Sequence, residues 1–247
     1  MGTYIIFDGG MQCDHLPGGV VGLLPMQDVA STTTTIITPL AFEAGRIRMN
    51  TRPHQWPLLV CGPGRRGIGR LEDRCDIPAG HVVILAGLAG GLNPDLPAGH
   101  ALLADAVVDV HGRERIPPLR SENGGGIICT HDELCDTPES KARLREMTGG
   151  DVVDMESIHF ANLAEERGWT WGVIRGISDD HATPLPRGCD AWTDDGGRTR
   201  PWSIARSILS SPGIAMQLPG LKRCAGRAMD SVGTRLIGLL ASDVATT

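Results

Sequence analysis

A chain of 247 residues, with 41% hydrophobic and 21% charged content, is long enough to bury a large α/β core and sits near the soluble globular norm. Its formal net charge of −6 leaves no basic excess to displace counterions, which argues against a nucleic-acid partner. No apolar stretch approaches the ~18 residues that a bilayer demands, no basic-then-apolar leader opens the chain, and the seven cysteines are scattered without a CxxC pair or metal spacing. The expectation is a cytoplasmic protein with free thiols, no integral membrane segment, no metal and no cofactor.

Residues 1–33 are rich in glycine and read as an irregular N-terminal extension to one domain over 34–247. From Thr34 onward, β-branched runs alternate with helical segments. Thr34–Thr38 reads as a strand leading into a helix over Ala41–Met49, and Leu58–Cys61 as a strand leading into Arg66–Arg74. Val82–Ala86, His100–Val108 and Gly126–Thr130 read as strands, the last followed by a helix over Thr137–Met147 that opens with a hydroxyl cap and Pro138. Val152–Met155 and Trp171–Ile177 are the final strands, enclosing a helix over Ser157–Arg167 that Gly168 stops. Pro184–Arg200 is polar and turn-rich, the pattern of a surface loop or lid. Trp202–Leu240 reads as two or three short helices broken at Pro212 and Pro219. Strands alternating with helices argue for a mixed, largely parallel sheet covered on both faces.

Two strings stand out, Asp154-Met155-Glu156 and Ile177-Ser178-Asp179. The helix between them travels roughly 17 Å, and a strand of about six residues returns roughly 20 Å, so the two journeys nearly cancel. Glu156 and Asp179 are therefore expected close together at the carboxyl end of the sheet, where open α/β folds place ligands. Two glycine clusters accompany them. Gly62-Pro63-Gly64-Arg65-Arg66-Gly67 fits a dinucleotide fingerprint, but the next strand ends in Gly87-Leu88-Ala89-Gly90-Gly91 and not in the acid that a ribose hydroxyl needs. That second cluster either lets a flat ligand lie on the main chain or forms a tight strand–helix turn.

Taken in order, Ile37-Thr38-Pro39-Leu40-Ala41-Phe42-Glu43, Cys61-Gly62-Pro63-Gly64, Ala86-Gly87-Leu88-Ala89-Gly90-Gly91, Thr130-His131-Asp132, Val153-Asp154-Met155-Glu156 and Arg175-Gly176-Ile177-Ser178-Asp179 resemble the nucleoside phosphorylase and nucleosidase superfamily. That superfamily includes purine nucleoside phosphorylases and methylthioadenosine/S-adenosylhomocysteine nucleosidases. The stretch from Leu185 to Pro201 looks like its hopanoid-associated branch, proposed to act on a lipid-linked nucleoside.

The resemblance implies a three-layer α/β/α sandwich, usually a homo-oligomer, acting on a small nucleoside. It implies roles as well: Asp179 would protonate the purine at N7, Glu156 would hold the ribose hydroxyls with Met155 against the sugar, and Glu43 would activate the attacking water. Leu134 and Cys135 fall where the family contacts the purine, and Gly87 and Leu88 fall at the substrate-facing glycine strand. Gly62, Gly64 and Arg65 would line a pocket for phosphate or water. Cleavage of an N-glycosidic bond suits this set, because an oxocarbenium-like sugar wants an acid for the departing base, a nucleophile beneath the ring and negative charge nearby. Asp180 and Glu156 are the neighbours expected to keep a proton on Asp179. Glu43 would repel phosphate and suits water, so hydrolysis is the favoured reaction. Phosphorolysis and a catalytically degenerate nucleoside-binding module are the alternatives.

Overall fold

The computed structural model describes residues 34–243 apart from 53, 55, 121–124, 187 and 212, so the extension expected over 1–33 lies outside the described residues. The elements are β1 (Thr34–Thr38), α1 (Ala41–Asn50), β2 (Leu58–Val60), α2 (Gly64–Arg74), β3 (Val82–Gly91), β4 (Ala101–Asp109) and β5 (Glu114–Arg115). They continue with β6 (Gly126–Thr130), α3 (Pro138–Thr148), β7 (Val152–Asp154), α4 (Ser157–Glu166), β8 (Thr170–Asp179), α5 (Pro201–Ser210) and α6 (Gly213–Asp243).

The β-branched runs pair as a mixed sheet. β3 lies parallel to β1 along its first half and parallel to β8 along almost its whole length, while Gly90 and Gly91 pair antiparallel with β7. β4 runs antiparallel to β8 at Ala101–Leu103 and then parallel to β6, which pairs with β7. Strands β3, β8, β4, β6 and β7 thus form a closed circuit, extended by β1 and β2 on one side and by β5 on the other.

Side-chain alternation along the strands builds two cores. Ile37, Val83, Leu85, Trp171 and Val173 meet Ile68 and Leu71 of α2 and Phe160 and Leu163 of α4. Ile36, Ile84, Ala86 and Ile174 meet Ile47 of α1 and Met229, Val232, Leu236 and Leu240 of α6. Each such buried aliphatic side chain contributes about 1.5–3 kcal/mol. Helices therefore cover both faces of the strands, as the three-layer expectation requires.

Three points differ from or decide the sequence reading. Pro219 does not end a helix: α6 runs 31 residues through it. Proline offers no N–H to the carbonyl of Ala215, but both residues are exposed, so that carbonyl is open to solvent. The glycines after Ala86 are not a strand–helix turn, since β3 continues through Gly91 and the next element is another strand. The two-residue strand β5 has no counterpart in the sequence reading.

Candidate active site

Strand ends and helix starts bring the expected carboxylates to one cavity of about 340 Å³, lined by Glu43, Glu156 and Asp179 together with Leu88, Leu134, Cys135 and Met155. Glu43 rides in the first turn of α1, Glu156 sits at the start of α4 and Asp179 closes β8. A register shift after Ala89 sets Asp179 opposite Gly90. The expectation that Glu156 and Asp179 share a site at the ends of their strands therefore holds.

Glu43 is not a solvated first-turn glutamate. It is 2% exposed. Its Oε2 accepts from Thr38 Oγ1 and from the Leu40 amide, both at 2.8 Å, and its Oε1 accepts from the Leu88 amide at 2.7 Å. Burial raises its pKa against the pull of Arg175. Glu156 accepts from the Gly64 amide at 2.7 Å and from Arg175 Nη2 at 3.1 Å. Burial pushes it up to about 7, Arg175 opposing and Asp154 assisting.

Arg175 joins these acids. An arginine inside the apolar strand β8 must find partners, and it finds Asp154, whose Oδ2 accepts from Nε at 2.7 Å. Asp154 is itself held by Thr130 Oγ1 at 2.9 Å and by the Ser157 hydroxyl. Burial works against the arginine's charge, but Asp154, Glu156 and Glu43 outweigh it and its pKa is raised. Nη1 of Arg175 is buried with no hydrogen-bond partner. A Cβ built on Gly87 would stand 2.7 Å from that nitrogen and 2.9 Å from Glu43 Oε1. An orphaned donor and a carboxylate oxygen thus flank the bare face of Gly87. Removing the side chain there makes room for both.

Asp179 has two different neighbours. Its Oδ2 accepts from Lys141 Nζ at 2.6 Å, and its Oδ1 accepts from the Ser178 hydroxyl at 2.5 Å. Ser178 Oγ also reaches the Ala89 carbonyl at 3.2 Å. Asp180, expected to keep a proton on Asp179, turns instead into its own loop. It accepts from Thr183 Oγ1 at 2.6 Å, and that hydrogen bond above all holds its carboxyl below the usual range.

Gly62, Gly64 and Arg65 stand apart from the main cavity. Gly64 and Arg65 line a neighbouring space of about 250 Å³ with Arg66, Arg70, Asp132 and Asp195, which shares only Pro63 and Met155 with the first. Gly62, at φ +91°, packs against the Asp195 carbonyl, and the Gly64 amide is committed to Glu156. The loop from Pro184 to Arg200 closes the cavity with Leu185, Cys189, Asp190 and Thr193. It is pinned by hydrogen bonds from the Leu185 amide to Asp136 and from the Ala41 amide to Gly197.

All six cysteines among the described residues are free. Burial raises the Cys135 thiol and pushes the Cys189 thiol up to about 11, so neither is an activated nucleophile. Sequence reasoning gave no role to Arg175, Asp154 or Lys141. A charged residue within the apolar run Trp171–Ile177 was the available signal for Arg175, whereas a lysine on a helix carries none.

Solved structures share this arrangement of strands and helices. Futalosine hydrolase of Helicobacter pylori matches with a TM-score of 0.58 at 14% identity, over 86% of this chain and 98% of that one. The methylthioadenosine/S-adenosylhomocysteine nucleosidase of the same organism gives 0.60 at 14% identity, over 86% and 99%. That of Colwellia psychrerythraea 34H, solved with adenine, gives 0.59 at 15%, over 85% and 95%. The fold is the one these nucleosidases share. Residues 117–209 match the family model of the phosphorylase superfamily, while no curated protein matches by sequence. The resemblance read from the sequence is borne out at the level of the fold and of the phosphorylase-superfamily match over residues 117–209.

Proposed function

We propose that this protein hydrolyses the N-glycosidic bond of a purine nucleoside or nucleoside conjugate. The observation that supports the reading is that buried Glu43 and the unpartnered Nη1 of Arg175 both lie beside Gly87, an acceptor and a donor of the kind an attacking water needs. In this reading Asp179 gives a proton to N7 of the purine, and the C1′–N9 electron pair leaves with the base. Water forms the new bond to C1′ and yields its proton to Glu43. Glu156 holds the sugar hydroxyls, Met155 packs on the ring, and Leu134 and Cys135 face the base. Glu43, Asp154 and Glu156 gather around the cation Arg175, an acid-rich floor that favours a cationic sugar over a phosphate. No step calls for a cofactor. The resemblance adds the expectation of a homo-oligomer in the cytoplasm, with a lipid-linked nucleoside among the candidate conjugates.

Phosphorolysis has one observation in its favour: the adjoining space bearing Arg65, Arg66 and Arg70 opens beside Met155. The two readings separate in one assay. The protein is incubated with adenosine, inosine, methylthioadenosine, futalosine and an adenosyl lipid, with and without phosphate, and free base and sugar are followed. Base release without phosphate is expected, lost in Asp179→Asn with the fold intact. Release that requires phosphate and yields a sugar 1-phosphate overturns hydrolysis, and an active Asp179→Asn overturns the acid role.

A further inference from the structure

Lys141 is a group the proposed chemistry leaves unused. The chain has two lysines, Lys141 and Lys222, and spends one of them at zero exposure on the buried side of α3. Its ammonium has three donors, and three oxygens meet them: Asp179 Oδ2 at 2.6 Å, the Asp180 carbonyl at 2.7 Å and the Thr183 carbonyl at 2.9 Å. An ammonium saturates this three-oxygen nest, whereas an arginine would bring five donors to the same space. A buried ammonium so placed must keep its oxygen partners, and Asp179 Oδ2 supplies one of them whether or not Oδ1 carries a proton.

Resting on the reading of Asp179 as the proton donor, we propose that Lys141 is a positioning residue that clamps Oδ2 of Asp179, commits Oδ1 to the purine and meets the carboxylate charge that appears when the proton leaves. Oδ1 has a partner suited to both states. Ser178 Oγ donates to it when it is bare, and turns its hydrogen to the Ala89 carbonyl when Oδ1 carries the proton. The proton moves from Oδ1 to N7, the bond electrons move from C1′–N9 into the base, and the charge left on Asp179 lies against a cation already in place. A preorganised charge of this kind acts where negative charge develops and costs no rearrangement.

Apart from His181, two positions along the chain, the other ionisable groups close to Asp179 among the described residues are acids and thiols. Cys135 and Asp136 come from the segment before α3, Cys189 from the covering loop, Asp180 from the adjacent position, and Glu43, Asp154 and Glu156 from across the cavity. Arg175 is committed to Asp154 and Glu156.

The test compares wild type, Lys141→Met and Asp179→Asn in base release from methylthioadenosine across pH 5–10. Lys141→Met is expected to lower kcat by about 10- to 100-fold, a fraction of what a general acid supplies, with KM little changed. Its pH profile is expected to differ from that of wild type, because the reacting carboxyl has lost the cation beside it. A purely structural lysine would reduce the amount of folded enzyme and leave the pH profile of the remainder unmoved. A folded Lys141→Met with the wild-type kcat and profile overturns the proposal while leaving the nucleosidase reading intact. Wild type that releases no base from any nucleoside in the panel overturns that reading, and the proposal with it. If Lys141→Met does not fold, wild-type protein with 15N-labelled lysine carries only two ammonium signals. The Lys141 signal should shift when adenine binds, and a Lys141 signal that adenine binding leaves unmoved overturns the proposal.

Discussion

Adding a single methyl group at Gly87 tests the heart of the site. The new Cβ would lie 2.7 Å from Arg175 Nη1 and 2.9 Å from Glu43 Oε1. Neither atom can retreat easily. The guanidinium is planar and is held at Nε and Nη2 by Asp154 and Glu156. The Glu43 carboxylate is held by the Leu88 amide on one oxygen and by Thr38 and Leu40 on the other. Overpacking of this kind costs about 1–3 kcal/mol, which in a domain of this size lowers Tm by about 2–12 °C. The methyl also displaces both groups that would hold the attacking water. A misplacement near 1 Å costs about 100-fold in rate. Thermal melting and base release measure the two effects on one preparation. Gly45→Ala in α1 is the control: its Cβ meets nothing within 4 Å, and replacing an exposed helix glycine should gain about 0.5–1 kcal/mol. A Gly87→Ala protein with wild-type Tm and wild-type kcat/KM would refute the placement of Arg175 and Glu43.

Two further outcomes concern stability. Glu156 sits near 7 in the fold against an ordinary value of 4.5, so the folded state holds its proton more tightly than the unfolded chain. Its contribution is full below about 4.5 and is lost as pH rises through about 7, an amount of about 3 kcal/mol. Chemical denaturation at pH 5 and pH 8 should show a smaller loss in Glu156→Gln than in wild type, and equal losses would contradict the burial argument. Pro219→Ala restores an amide to the interior of α6 at an exposed position and should raise stability, by up to ~3 kcal/mol, in the same denaturation assay. An unchanged midpoint would mean that α6 gains nothing from the restored hydrogen bond.

Local chemistry made most of the fold legible before the structure. Thr34–Thr38 and Gly126–Thr130 are dense in β-branched residues, and both strands end where the sequence says they should. Thr137 and Pro138 open α3 by capping alone, and in the structure Gly149 closes it in the left-handed conformation at φ +68°. The points that the sequence left open or misjudged share a cause. Glycine and proline read as punctuation in a sequence, yet the glycines of β3 are absences of side chain demanded by Arg175, Glu43 and Asp179, and Pro219 is tolerated at an exposed position. Of the site, the acids were visible because three motifs in order named them. Their counter-charges were not. A helix lysine is usually a solvated one, and nothing in the spacing of Lys141 announces that α3 turns it inward toward Asp179, thirty-eight residues away.

The closed strand circuit also governs the order in which a growing chain can complete its site. β3 and β4 are made early, but each waits for β8 as a neighbour, and β8 is the last strand to be synthesised. Such long-range pairing is entropically late and leaves open sheet edges in the meantime. The strand that seals the seam is the same one that carries Arg175 and Asp179. A nascent fragment that stops short of β8 therefore holds Glu43 and Glu156 with neither their cation nor their acid, and the chemistry switches on only with the stitch that closes the fold.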